Sequence, residues 1–138
     1  MASAEPDPLR RLPHGELSRL LTSAIVDRAT NTAHGVREAG IPDPKANAAG
    51  YLPQSLLIEL MGQTAGLALP EESASALVAG IDRMHLHRAA RSGQRVTVTA
   101  RLDRRVGPIY LFTCRAEAAG LLLAHGSISM ATKEARSP

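Results

Sequence analysis

The chain has 138 residues, 44% of them hydrophobic but only 2% aromatic, and a net charge of +3. That length suits one domain with a real core, and the core has to be built from Leu, Val, Ile, Ala and Met. The arginine excess is scattered, and Tyr51, Tyr110 and Phe112 are the only aromatics, which argues against nucleic-acid binding, since that needs dense cations with stacking rings.

Taken in chain order, residues 1–10 read as a tail and 15–21 (GELSRLL) as a short helix or turn. Residues 23–39 suggest two short strands around a turn at Asn31. Residues 41–51 (IPDPKANAAGY), with two prolines and small residues, read as a loop. Residues 53–69 (PQSLLIELMGQTAGLAL) form the longest apolar stretch, with Pro53 placed to start a helix. Its Leu56, Leu57, Leu60, Met61, Thr64, Ala65 and Ala68 cover most of the circumference, which predicts a buried helix.

The remainder reads as β. A strand over 76–90 runs to a turn at Ser92–Gly93. Residues 94–106 alternate, with Val96, Val98, Ala100 and Leu102 on one face. Gly107–Pro108 breaks the chain, 109–118 is a further strand, Ala119–Gly120 a turn, and 121–132 the last strand. Turns every dozen or so residues favour antiparallel hairpins over βαβ units. An α+β architecture follows: a sheet curled around one helix, with a second subunit supplying the remaining cover. The domain spans 11–132, and 133–138 reads as another tail.

Some chemistry is excluded. The single cysteine, Cys114, allows no internal disulfide, and its alternating surroundings make it a small buried hydrophobe. No Cys/His spacing suits a metal, and no motif calls for a cofactor. The acidic, proline-rich start (Met1 to Pro8) is not a signal peptide. No apolar run reaches the ~20 residues that span a membrane. A soluble cytoplasmic protein is expected.

Glu59 stands out, a carboxylate inside the most apolar segment. Burial there is costly unless the group is paired, hydrogen-bonded or protonated. Desolvation would make it a general acid; otherwise it caps a strand or faces solvent through a gap. Gln63 lies one turn on, on the same face. His85 and His87, two apart on a strand, share a face, and with Arg83 and Arg88 form a basic strip (R-M-H-L-H-R). That strip is either a solvated face or a docking surface for a phosphate or an acidic carrier protein. His34 and His125 carry little information.

These residues reach a family pattern. LPQSLLIELMGQTAG resembles the central helix of the 3-hydroxyacyl-acyl-carrier-protein dehydratases of the hot-dog superfamily, typically P-G-V-L-I-I-E-A-L-A-Q-x-A-G. AGIDRMHLHRAARSGQRV resembles, without gaps, their G-I-D-x-x-R-F-R-R-P-V-x-P-G-D-x-L strand and turn. LPH (12–14) and VDR (26–28) are similar to the family's opening. The pattern is closest to the His-poor dehydratase-like proteins of aryl-polyene type clusters, which read G-x-V-P-x-W-V-G-I-E-Y-M-A-Q beside GYLPQSLLIELMGQ here.

The resemblance implies a dimeric hot-dog fold in which a His and a Glu from opposite subunits face each other across an acyl tunnel. It implies catalytic roles for Glu59 and Gln63, with His14 as a substitute base. It implies contacts from Tyr51, Pro53, Gln54 and Ser55 to the substrate, and carrier docking by Arg83, His85, His87 and Arg88. The implied partners are an acyl carrier protein with its phosphopantetheine-linked acyl chain, and a second dehydratase chain, identical or different. The chain departs from the pattern at two places: the family's catalytic His position holds Lys45, and the glycine after the helix-start proline is Gln54. Three functions stay open: a dehydratase acting on carrier-bound acyl thioesters, a catalytically degenerate subunit partnering an active one, and a hot-dog thioesterase.

Overall fold

The computed structural model describes residues 20–38, 45–70 and 76–132. Both expected tails, His14 and most of the short helix or turn at 15–21 lie outside them. The elements run β1 (Ser23–Asp27), β2 (Thr32–Arg37), α1 (Gln54–Ala68), β3 (Ala76–Leu86), β4 (Val96–Val106), β5 (Ile109–Ala118) and β6 (Leu121–Thr132).

Turn chemistry sets the hairpins. Between β1 and β2, the Asp27 carboxylate accepts the Ala29 N–H at 2.9 Å, and Asn31 takes the left-handed conformation its short polar side chain tolerates, at φ 51°. β4 and β5 are joined by two residues, with Gly107 at φ 58° in the first central position. β5 and β6 are joined by Ala119 and Gly120, both at positive φ. Such turns match the right-handed twist of the flanking strands.

The strands form one antiparallel sheet in the order β1-β2-β4-β5-β6-β3. β3 precedes β4 in sequence but pairs at the far side with β6. It is therefore an edge strand, broken by two register shifts, and Arg83 at the second stands at φ 51°.

Helix α1 lies across the concave face, chiefly against β4. Pro53 immediately precedes its first residue, with φ at −59°. Leu57, Leu60, Met61 and Leu67 are fully buried against Val96, Val98, Phe112, Cys114 and Ile128. Truncating one such Leu to Ala costs about 2–5 kcal/mol. Burial pushes the Cys114 thiol up to about 12, with Asp103 adding to the shift, so it is inert, as expected of a small core residue. At the helix C-terminus, Arg28 Nη1 donates to the Leu69 carbonyl at 2.6 Å, placing a cation at the negative end of the helix dipole.

The sheet does not cover the whole helix. Ser55 and Glu59 are exposed, and Ile58, Gly62 and Gly66 are half-buried. These residues recur at helical spacing, so they mark one open stripe. The sequence left Glu59 as a buried carboxylate, a cap on a strand backbone or a group facing solvent through a gap; in the described chain it is exposed.

On the convex face, His85 pairs across strands with His125. The rings of His85 and His87 each stack on His125 at 4.9 Å between centroids, and His87 Nε2 lies 2.9 Å from His125 Nδ1. Arg115 of β5 pairs with His125 from the other side. Desolvation, and then His85, His87 and Arg115, lower the His125 pKa from 6.5.

Two outcomes follow. A Cβ at Gly35 would lie 2.8 Å from both Leu21 Cδ2 and Thr64 Oγ1, so Gly35→Ala has to displace these two side chains, one of them on α1. The expected loss is about 1–3 kcal/mol in urea unfolding; an unchanged midpoint would mean the helix is not seated there. The histidine stack makes stability fall with acid. The unfolded chain binds the His125 proton more tightly, so stability is full above pH 6.5 and declines below it. Unfolding midpoints between pH 7.5 and 5 should decline less steeply in His125→Gln than in the parent chain.

Candidate active site

The open stripe of α1 and the edge strand β3 enclose a cavity of about 530 Å³, within the usual range for small-ligand sites. Ile58, Glu59, Gly62 and Gln63 line it from the helix, and Ala76, Leu77, Val78 and Ile81 from β3. Ile128 and Met130 of β6 complete it. The lining is apolar apart from Glu59 and Gln63. Glu59 is the one ionisable side chain among the described residues that line it.

The helix places these groups because residues three and four apart share a face. Glu59, Gly62 and Gln63 therefore stand on the cavity side, while Leu57, Leu60 and Met61 point into the core. Gln63 is buried, and its Oε1 accepts the Leu20 N–H at 3.0 Å. It thus anchors the segment entering β1 as well as bordering the cavity.

The expected substrate contacts stand elsewhere. Tyr51 forms a bridge with Arg91, whose Nη2 donates to the Tyr51 hydroxyl at 3.0 Å and whose guanidinium lies over the ring at 5.1 Å. Pro53, Gln54 and Ser55 form the start of α1, and none of the four lines the cavity beside Glu59. Lys45, in the family's His position, is exposed and does not line it either. His14 lies outside the described residues.

The basic strip is divided from the cavity by the sheet. His85 and His87 stack with His125 on the convex face. Arg83 borders a second, polar groove on that face with Asp82, Asp103 and Arg104, and Arg88 is exposed. His125 was given little weight in the sequence because its neighbour is 40 residues away and only the β3–β6 register joins them. The cavity beside Gly62 likewise depends on β3 crossing to the far edge. Among the described residues no group of three His, Cys, Asp or Glu side chains could hold a metal. No helix among them is long and apolar enough to cross a membrane.

No family model matches the chain. Among solved structures, the dehydratase heterocomplex ApeI:P from Xenorhabdus doucetiae superposes with a TM-score of 0.78 at 22% identity, covering 93% of this chain and 91% of that one. A hypothetical thioesterase with coenzyme A from Streptococcus pneumoniae superposes at 0.66 and 10% identity, over 75% and 80% of the two chains. These likenesses establish the hot-dog fold. Sequence similarity goes further. The 3-hydroxyacyl-[acyl-carrier-protein] dehydratase FabZ of Streptococcus equi subsp. zooepidemicus is 30% identical over an alignment 130 residues long that covers 87% of this chain and 91% of that enzyme. With a helix carrying Glu59 against one concave antiparallel sheet, and identity running through nearly the whole of it, this chain belongs to the FabZ-like 3-hydroxyacyl-acyl-carrier-protein dehydratase family.

Proposed function

We propose that the chain acts in the dehydration of 3-hydroxyacyl thioesters carried on acyl carrier protein, with Glu59 as the general acid. The observation that carries this reading is the position of Glu59: a lone carboxyl at the open edge of a cavity whose lining is otherwise apolar but for Gln63. Such a cavity suits an acyl chain, and one carboxyl beside it suits the polar end where the reaction occurs.

Dehydration moves two protons. A base takes one from C2, the C2–C3 double bond forms, the C3–O bond breaks, and an acid protonates the departing hydroxyl to give water. Glu59 fills the second role. No described side chain lining the cavity fills the first. In this reading the base comes from a second chain, seated along β3, in place of the His14 that the resemblance offered. That edge exposes Leu77, Val78, Ile81 and Leu86, at 41–56% of their surface, which is costly to leave in water and open to strand pairing. The partner is a second copy or a related dehydratase, and the need for a base favours a related chain that carries one. Carrier docking through Arg83, His85, His87 and Arg88 belongs to the same proposal, with the carrier reaching the cavity around the edge strand.

The test is mass spectrometry of 3-hydroxyacyl carrier protein, incubated with the chain alone and with a partner dehydratase whose own acidic residue is disabled. Loss of one water in the mixture is the expected result, and Glu59→Gln should slow it about 10²–10⁴-fold. Release of free acid would point to thioester hydrolysis instead. A mixture indifferent to Glu59→Gln would leave the chain only a binding or scaffolding part.

A further inference from the structure

Gly62 occupies the middle of α1, where glycine weakens a helix because it loses more backbone freedom than any other residue. Three glycines elsewhere in the fold are accounted for by the chain itself. Gly35 is where α1 is seated on β2, and Gly107 and Gly120 adopt positive φ in turns. Gly62 meets neither condition. It has no positive φ, and a Cβ built on it would find only Val78 Cγ2, at 3.8 Å, an ordinary contact. Folding of the described chain does not require a glycine there.

The cavity does. Gly62 lies three residues after Glu59 on the same helix face, about 4.5 Å further along the axis at 1.5 Å per residue. Val78 faces it from β3, with half its surface open. The volume a side chain would take at position 62 thus remains part of the cavity, a few carbon–carbon bonds from the carboxyl.

We propose that Gly62 determines acyl specificity. By carrying no side chain it keeps open the passage between α1 and β3 through which a medium or long acyl chain runs on from the reacting carbons at Glu59. A four-carbon chain ends beside Glu59 and does not reach Gly62; a ten-carbon chain passes it. Gly62 touches the inert tail and takes no part in proton transfer. The inference rests on the acyl-binding reading of the cavity.

The test compares binding of 3-hydroxybutyryl-pantetheine and 3-hydroxydecanoyl-pantetheine to the full chain, in whatever assembly it forms, by titration calorimetry. The parent chain should bind both. Gly62→Val should weaken the decanoyl ligand by about tenfold or more and the butyryl ligand by less than about twofold, since the added bulk lies only on the longer path. Its mass by light scattering should not change. Gly62→Ala should weaken the decanoyl ligand less than Val does and raise the melting temperature, as alanine for glycine does in a helix; it carries the test if Gly62→Val fails to fold. A parent chain that binds neither thioester would overturn the acyl reading and this inference with it. A parent that binds both, with variants that bind the longer one as well, would overturn the role of Gly62 alone. Equal loss of both ligands together with a change of mass would also overturn it, and would assign Gly62 to close approach by a partner chain.

Discussion

The fold depends on covering α1. Fifteen residues of mostly apolar helix cannot stand in water, and a single layer of sheet has to curl to enclose them. It does so with small and branched side chains, since only one Phe and two Tyr are present. Ala100, Cys114, Ala116 and Ala124 line the concave face. Small residues let the helix approach closely, and at Gly35 the approach leaves no room even for a methyl group. The interior is close-packed there, so the position of the helix over the strands is tightly specified.

The same constraint produces the site. A six-stranded sheet wraps most of a helix but not all of it, and the uncovered stripe is where Glu59 and Gly62 stand. The strand beside that stripe, β3, is an edge strand with open backbone groups and exposed apolar side chains. An apolar cavity, a solvent-facing carboxyl and a strand at the sheet's edge thus occur together for one geometrical reason. They coincide where the chain runs out of sheet. Convex-face features, the histidine stack and the Asp-Arg groove, lie behind the sheet and are coupled to the cavity only through β3 and β6.

Much of the architecture was legible along the chain. The strands at 109–118 and 121–132 begin and end where alternation and turn residues placed them, because the two-residue turn between them sets where pairing starts. Helix α1 differs by a residue at each end, which is ordinary fraying. The candidate site was legible only in part. Glu59 was conspicuous because a carboxylate among leucines is rare. The pairing of Tyr51 with Arg91, forty residues away, was not legible, since it depends on the fold bringing the two segments together.

By itself the sequence determined the strands, the helix and the family, because periodicity, turn chemistry and motif spacing are local properties carried by neighbouring residues. Only the tertiary structure decided which face of α1 stays open, that β3 closes the cavity from the far edge, and that His125 joins His85 and His87. Those relations hold between residues tens of positions apart. They are set by strand order and by how far one sheet can curl around a helix, and no local pattern records either.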